Sequence, residues 1–322
     1  MDRRRASGIA LVLVSAAGFG SGSLFAQPVY HAGVSWLVLS AWRFLFGAAL
    51  TWGWLLLSAE RRRGLRILDR RAVIAAVALG LLYLGNSGTY FAGLETVSPS
   101  LAALIVYLYP ALVAVLSLRI GRRLHGRRAW IALAIALAGV VLAVGGIDPS
   151  VAPPLGGLLL ILASPVIYAV WIVLSARLSG ERPDAVGDES SGGASATAAT
   201  ALMMSATAAV YWLIALGSHQ AVLPTEVPGA AWYGLLGVGV MSTFIAIQTF
   251  YAGAQRVGAA QAALISTVEP IWTIALAAAL FSVALTPVQL AGGALILLGV
   301  LVAQTGPALD QVPGPAVRVA DE

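Results

Sequence analysis

Arg43 and Glu269 are ionisable side chains inside long apolar stretches of the sequence. Burying an arginine in lipid costs about 2.5 kcal/mol or more, so its charge must be compensated. Arg43 can be the counter-charge of a bound carboxylate, or it can be structural, binding backbone carbonyls or reaching toward an interface. Glu269 can bind an amine or a proton, cap backbone donors freed by the adjacent Pro270, or pair with Arg43. The sequence leaves these alternatives open.

Two prolines, Pro110 and Pro270, fall near the middle of apolar segments and at equivalent positions of an internal repeat described below. A proline lacks the backbone N–H and disrupts a helix, which leaves carbonyl oxygens free for a solute or for neighbouring side chains. We expect these prolines to be hinges or, alternatively, passive kinks.

Further polar and aromatic side chains within apolar segments could line an amphipathic cavity. Tyrosine and tryptophan rings could stack on an aromatic or amine solute, although such rings also serve in packing and in interfacial belts. Asn86 and Gln248 could bind a solute or join helices to each other. The aromatic candidates are Tyr90, Tyr107, Tyr109, Tyr168, Trp171 and Trp272.

Several kinds of chemistry are excluded by the sequence. The chain has no cysteine, which rules out disulfides, thiolate metal sites and cysteine nucleophiles. Its three histidines lie far apart in sequence, so we expect no metal site. No phosphate-binding loop, HExxH motif, paired aspartates or Ser/His couple occurs in the apolar segments. We therefore expect a protein that is not an enzyme and that binds no cofactor.

The elements that must position these residues are membrane helices. Of the 322 residues, 59% are hydrophobic and only 10% are charged, and the mean hydropathy is +0.89. This composition predicts an all-α integral membrane protein. Ten segments are long and apolar enough to be spans: 8–26, 34–58, 72–94, 98–118, 129–147, 155–177, 197–217, 230–254, 258–281 and 288–305.

The positive charge is confined to alternate connections between these segments. The net charge of +5 therefore indicates membrane flanks instead of nucleic-acid binding. The arginine-rich connections are Arg3 to Arg5, Arg61 to Arg71, Arg119 to Arg128, Arg177 with Arg182, and Arg256. The positive-inside rule then places both termini in the cytoplasm, and the arginine- and alanine-rich composition without lysine indicates a bacterial cytoplasmic membrane.

Two polar stretches interrupt or follow the apolar segments. Residues 180–196 contain five charged residues and a Ser/Gly cluster, which predicts a flexible cytoplasmic linker. Residues 306–322 predict a disordered cytoplasmic tail.

The two halves of the chain resemble each other. Tyr90-Phe91-Ala92-Gly93 matches Phe250-Tyr251-Ala252-Gly253, and Pro110 falls on Pro270, both at an offset of 160 residues. The first and sixth segments instead align through Ser15 and Ser164 at an offset of 149, because the polar linker holds an insertion. The repeats are residues 8–147 and 155–305, with five predicted spans each, and an odd number predicts inverted topology. Arg43 then corresponds to Met203, and Glu269 to Tyr109, so each charge occurs in one half only.

The repeats resemble paired EamA domains of the drug/metabolite transporter superfamily. The resemblance rests on Trp42-Arg43-Phe44, on residues 102–112 with their copy ending in Glu269-Pro270, and on the closing Gly139-Val140 and Gly299-Val300. One departure is Gly121-Arg122, where family members often carry Gly-Glu, so no role of that glutamate is carried over. The resemblance implies export or exchange of amino acids, related metabolites or toxic compounds.

The hypothesis from sequence is a secondary transporter that moves a small organic solute by alternating access, with a proton or counter-solute as the coupling partner. A channel or lipid flippase of the same fold, and a non-transporting membrane partner protein, stay open as alternatives. The bilayer and the solute are the expected partners, and no oligomeric state follows from the sequence.

Overall fold

A computed structural model describes residues 3–120, 126–145, 153–178, 189–257, 262, 265–282 and 285–304. Helices form the secondary structure of this part of the chain, which contains no strand. The helices of the first half are α1 (Arg3–Gly20), α2 (Gly22–His31), α3 (Trp36–Leu56), α4 (Ala59–Ile67), α5 (Arg70–Gly93), α6 (Pro99–Val106), α7 (Tyr109–Ile120) and α8 (Gly126–Gly145).

The second half begins with two long helices, α9 (Leu155–Leu178) and α10 (Glu189–Gly217). A third span changes its helical type along its length: a 3₁₀ turn (Gly229–Ala231), α11 (Trp232–Gly237), a π-helix (Val238–Ile245) and α12 (Ala246–Val257). The described part ends with α13 (Val268–Phe281) and α14 (Pro287–Gln304).

Five helical segments are long and apolar enough to cross a membrane: Arg3–His31, Arg70–Gly93, Leu155–Leu174, Thr197–Gly217 and Gly229–Ala254. Shorter apolar helices cover Pro99–Val113, Trp130–Ala143, Val268–Phe281 and Pro287–Val302. Large apolar side chains such as Leu57, Val141 and Leu213 are 82%, 68% and 69% exposed, which suits contact with lipid. The chain is a multi-pass membrane protein.

Three predicted boundaries differ from the structure. The first span, predicted over 8–26, is a longer helical pair that breaks at Ser21. The arginine-rich connection after α3 contains the helix α4, on which Arg62, Arg63 and Arg66 are exposed while Arg61 stacks on the Trp54 ring at 3.7 Å. Helix α10 begins at Glu189 and so includes the end of the predicted linker 180–196, although serine and glycine there have low helix propensity.

Some predicted segments lie wholly or partly outside the described residues. These are linker residues 180–188, the tail 306–322, residues 258–261 and 263–264 of the predicted ninth span, residues 146–147 of the fifth and residue 305 of the tenth. The Gly121-Arg122 departure also lies outside them.

The sequence suggested that the two prolines lie inside continuous helices, but in the structure they lie in the first turns of helices. Pro110 is the second residue of α7, and Pro270 is the third residue of α13. Turns at 107–108 and 266–267 precede these helices, so the breaks themselves come before the prolines. A proline in the first helical turn removes an N–H that has no partner within the helix, which makes it compatible with a helix start.

Helices α8 and α14 pack through glycines at equivalent positions of the repeat. A Cβ on Gly139 would lie 2.6 Å from the Gly292 carbonyl oxygen, and one on Gly299 would lie 2.7 Å from the Ala132 carbonyl oxygen. The 160-residue offset converts the first contact into the second. Backbones this close leave no room for a side chain.

A second pair of close backbone contacts is related by the two repeat offsets, 160 and 149 residues, together. A Cβ on Gly93 would lie 3.0 Å from the Gly157 carbonyl oxygen, and one on Gly253 would lie 3.0 Å from the Gly8 carbonyl oxygen. Gly93 and Gly253 differ by 160 residues, whereas Gly8 and Gly157 differ by 149. The interfaces α5–α9 and α12–α1 are therefore copies of each other.

Equivalent helices run antiparallel. Ser35, just before α3, donates a hydrogen bond to Gln220, just after α10, at 2.8 Å. Toward the opposite end of the same interface, Trp52 Nε1 donates to Ser205 Oγ at 2.9 Å. Since α3 and α10 are copies of one another, their antiparallel packing relates the halves by an approximate two-fold axis that lies across the helices.

Candidate functional site

Arg43 lies where α3 crosses the π-helix. Its Nε donates to the Thr243 hydroxyl at 2.8 Å, and that hydroxyl donates to the Val238 carbonyl, five residues back, at 2.9 Å. Gly47, one turn after Arg43, allows α3 to approach Thr243 closely. π-helical turns are rare and often occur at functional sites. Here the turn supplies the hydroxyl that holds the arginine.

The rest of the Arg43 guanidinium is not satisfied by the protein. The side chain is only 6% exposed, and its Cζ lies 5.1 Å from the Phe44 ring centre and 4.7 Å from that of Phe91. Among the described residues, none accepts a hydrogen bond from Nη1 or Nη2, and Arg43 forms no ion pair with Glu269. The described structure thus shows no Arg43–Glu269 pair, one of the alternatives that the sequence left open, and the guanidinium keeps its two terminal nitrogens for another partner.

Glu269 lies at the break before α13, beside Tyr107 at the break before α7. The Tyr107 hydroxyl is 3.0 Å from Glu269 Oε2 and also contacts the Ser266 carbonyl oxygen. A tyrosine hydroxyl has a single hydrogen and cannot donate to both oxygens. A protonated Glu269 resolves this, because it donates to Tyr107 while Tyr107 donates to Ser266. The geometry therefore suits a carboxyl group that carries a proton.

A chain of aromatic rings connects Tyr107 with Arg43. It runs through α7, α9 and α5 to Phe44, the ring beside the guanidinium. The separations of ring centres are 5.8 Å for Tyr107–Tyr109, 4.8 Å for Tyr109–Tyr168, 6.3 Å for Tyr168–Tyr83 and 5.9 Å for Tyr83–Phe44. The centre of the bundle thus joins an acidic end and a basic end through an amphipathic aromatic wall.

Tyr90 connects the same two ends on another side. Its hydroxyl is within electrostatic range of both Glu269 and Arg43 and lies next to Ser23 of α2. Its ring contacts Phe91, which also faces the guanidinium, with 5.2 Å between ring centres. Of the predicted residues, the structure therefore brings Arg43, Tyr90, Tyr107, Tyr109, Tyr168 and Glu269 into one region.

Other predicted residues make structural contacts. Asn86 Nδ2 donates to the Ser164 carbonyl and hydroxyl oxygens, both at 3.0 Å, and thereby joins α5 to α9. Trp171 Nε1 donates to the Leu79 carbonyl at 3.0 Å, although its ring stacks on Tyr168 at the edge of the aromatic wall. Trp272 is 41% exposed and donates to Ser21 at the α1–α2 break, so it does not line the centre. These bonds fit the alternative that polar and aromatic residues join helices.

Amide donors are also left over in the interior. Nε2 of Gln248 is buried without a hydrogen-bond partner in the described residues, and the same is true of Nε2 of Gln27, which the sequence analysis did not select. Gln27 was detectable in principle, since Ser23, Gln27 and Tyr30 form a polar stripe at helical spacing on an otherwise apolar helix.

An open pocket of about 310 Å³ adjoins this stripe. It is lined by Tyr30, Gly33, Val34, Ser35 and Glu95, at the start of α3. Tyr30 donates to the Phe91 carbonyl at 2.8 Å, and Arg43 is within electrostatic range of Tyr30. Tyr30 therefore links the pocket to Phe91, whose ring lies against the guanidinium. Within the described part of the chain, no three His, Asp or Glu side chains come together as a metal site would require.

The sequence model of the EamA-like transporter family matches the chain twice, over residues 6–145 and 155–305. The chain belongs to the EamA-like transporter family. Both repeats are thus EamA repeats, and a role in membrane transport follows from the family.

Two curated relatives of this EamA protein carry transporter descriptions. An "uncharacterized transporter" of Archaeoglobus fulgidus is 26% identical over 218 residues, which covers 67% of this chain and 70% of the relative. The "uncharacterized transporter YyaM" of Bacillus subtilis is 24% identical over 272 residues, covering 82% and 83%. A solved crystal structure of a protein superposes with a TM-score of 0.62 at 22% identity, covering 92% of this chain and 96% of the other. This likeness concerns the fold.

Proposed function

We propose that this EamA protein is a secondary transporter that carries a small organic solute across a bacterial cytoplasmic membrane, as an exporter or exchanger. The proposal rests on one observation: Arg43 and Glu269 lie at the two ends of a row of aromatic rings inside the bundle. The terminal nitrogens of Arg43 have no acceptor among the described residues. A charge buried without a carboxylate partner is costly, and in transporters such groups mark solute and ion pathways.

The arrangement of the halves supports alternating access. Inverted repeats commonly place a solute site at their interface and expose it to each side in turn when one bundle rocks against the other. In this proposal the chain has ten spans with both termini in the cytoplasm. The α6–α7 break and the break before α13 give the spans near Glu269 the half-helix character of solute sites.

Glu269 is the proposed coupling residue. Its carboxyl group competes with Ser266 for the Tyr107 hydrogen when it is ionised and donates to Tyr107 when it is protonated. Gain or loss of a proton would therefore change the contacts between the two breaks. A proton or a counter-solute would supply the energy, because the sequence has no phosphate-binding loop for ATP hydrolysis.

Counterflow in proteoliposomes tests the transport function. Vesicles that contain purified protein are preloaded with an unlabelled solute and supplied with traces of the labelled solute, across a panel of amino acids, amines, carboxylates and drugs. A transporter accumulates label transiently and saturably. Rapid non-saturable equilibration would indicate a channel, movement of labelled lipid a flippase, and no flux of any kind a non-transporting partner protein.

The proposed topology can be tested separately, because a chain without cysteine gives no labelling background. Thr225 lies in the exposed connection after α10, and Arg63 is exposed on α4. A membrane-impermeant maleimide should label Thr225→Cys in intact cells and Arg63→Cys only after permeabilisation. The reverse pattern would contradict cytoplasmic termini.

A further inference from the structure

Nitrogen donors without an acceptor among the described residues are left over at Arg43 and Gln27. Arg43 has two terminal nitrogens without an acceptor among the described residues, and Gln27 has an amide nitrogen that is buried without a partner. A buried donor that lacks an acceptor costs free energy, and the Gln27 amide nitrogen is such a donor, so the site is incomplete without a ligand. The ligand must supply acceptor oxygens.

The two residues are directed toward the same neighbourhood. Ser23, Gln27 and Tyr30 are spaced so that they share one face of α2. Ser23 lies next to Tyr90, and Tyr30 donates to the Phe91 carbonyl, so this face looks onto α5 at residues 90–91. The Arg43 guanidinium lies over the Phe91 ring. Gln27 therefore faces the helix turn on which the guanidinium rests.

The shape of the donor set restricts the ligand further. With Nε held by Thr243, the guanidinium presents Nη1 and Nη2 in a planar fork, which matches the two oxygens of a carboxylate. Phe44 and Phe91 surround the fork with apolar surface, where a compact carboxylate joined to an apolar body fits better than a strongly hydrated phosphate. Glu269 and Glu95, the carboxylates that act on the neighbouring Tyr90 and Tyr30, form no ion pair with Arg43 in the described structure.

We infer that Arg43 and Gln27 form a carboxylate subsite that is reached from the Tyr30 pocket and selects solutes with a carboxylate group on an apolar or aromatic body. The inference rests on the proposed transport function and names the solute class of that same site. Tyr30, which lines the pocket, donates to the carbonyl of Phe91, and the Phe91 ring lies against the guanidinium.

Thermal-shift titration of the detergent-purified protein tests the subsite. The probes are acetate, butyrate, benzoate and 3-phenylpropionate, each compared with its neutral amide, and phenyl phosphate as a tetrahedral oxyanion. A ligand that binds the folded state raises the melting temperature with concentration. We expect at least one aromatic carboxylate to raise it well above the effect of its amide and of phenyl phosphate.

Matched variants locate the effect. Arg43→Gln should weaken carboxylate binding by about 30-fold or more, whereas Arg61→Gln, the same change at an α4 arginine that stacks on Trp54 outside the site, should leave binding unchanged. Arg43→Lys keeps the charge but loses the fork and should bind weakly. Gln27→Met removes a buried donor that has no partner, so the unliganded protein should melt at a higher temperature while carboxylate affinity falls.

Two results would overturn the subsite. The first is that no carboxylate raises the melting temperature of the wild-type protein more than its amide does. The second is that Gln27→Met leaves carboxylate affinity unchanged and Arg43→Lys binds the carboxylate like wild type. A larger response to phenyl phosphate would overturn the carboxylate assignment in favour of a phosphate group. Counterflow of other solutes in the first case would leave the transport function standing, whereas absence of counterflow for every solute would remove the function itself.

Discussion

The interfaces between repeat-related helices and the centre of the bundle differ in how they treat the internal duplication. At the interfaces the two copies make the same contacts, as in Gly139 with Gly292 and Gly299 with Ala132. In the centre the copies diverge, since Arg43 corresponds to Met203 and Glu269 to Tyr109. The duplication supplies a two-fold framework, and single-copy substitutions supply the charges.

The difference indicates where stability and function reside. Close glycine contacts in the framework are satisfied backbone packing, which in lipid substitutes for the hydrophobic effect. The centre instead keeps donors without an acceptor among the described residues, and it holds a carboxyl group that competes with the Ser266 carbonyl for the single hydrogen of the Tyr107 hydroxyl. Groups of that kind lower stability and are expected where a ligand completes the site.

The largest expected effect comes from filling a framework glycine. Gly139→Val and Gly299→Val should each destabilise the protein by about 3 kcal/mol or more, because each Cβ would meet backbone of the partner helix at 2.6–2.7 Å. The two variants should lose similar amounts of stability, because their glycines occupy repeat-related positions. Fluorescence-detected size-exclusion chromatography and melting temperatures measure the loss.

Gly53→Ala is the control for the glycine variants, because nothing lies within 4 Å of its Cβ position. It should fold normally. A much larger loss of stability in one of Gly139→Val and Gly299→Val than in the other would contradict the equivalence of the two contacts.

Next in size is the effect of the single carboxylate in the centre. Glu269→Gln keeps a donor for Tyr107 and so imitates the protonated state. We expect counterflow to persist while accumulation driven by a pH gradient is lost. Uptake in vesicles with and without an imposed gradient measures the separation, and Tyr109→Phe, at the repeat-related position, should keep its gradient dependence. A Glu269→Gln protein that still responds to the gradient would remove Glu269 from coupling.

A smaller, symmetric effect is expected at the hydrogen bonds that join the first and sixth spans to their neighbours. Ser15 donates to the Ala246 carbonyl at 2.7 Å, and Asn86 donates to Ser164 at 3.0 Å, in repeat-related places. Ser15→Ala and Asn86→Leu should each cost about 0.6–1.7 kcal/mol, the range for hydrogen bonds between membrane helices. Thermal melts measure this, and a selective loss of solute binding in Asn86→Leu at normal stability would return Asn86 to the site.

The smallest expected effect is at Trp272. Phenylalanine there removes the bond to Ser21 and retains an exposed aromatic ring, so stability should fall by less than about 1 kcal/mol. Solute binding should not change. The same thermal-shift titration measures the affinity of Trp272→Phe for the carboxylate. A marked loss of this affinity would mean that the Trp272 ring faces the solute.

The framework was largely predictable because its signals are local or periodic. The apolar lengths indicated the helices, and the matches at offsets 160 and 149 indicated the repeat that relates the contact of Gly93 with Gly157 to that of Gly253 with Gly8. The family match confirms two EamA repeats.

The details of the centre were not predictable, because they depend on contacts between distant helices. The π-helix that presents Thr243 to Arg43 has no local sequence signal, since its extra residue is fixed by packing against α3. Likewise, Pro110 and Pro270 indicated disruption but not that the breaks precede them. Gln27 becomes a candidate only because the structure shows its amide nitrogen buried without an acceptor among the described residues.

The most direct test of the account is counterflow by Arg43→Gln and Met203→Gln, which make the same final residue at repeat-related positions. Aromatic carboxylate is the solute, and both proteins are first matched for folding by their melting temperatures. We predict that Arg43→Gln loses carboxylate counterflow while Met203→Gln retains it. Equal counterflow by the two variants would contradict the claim that the single-copy charge in the centre binds the solute.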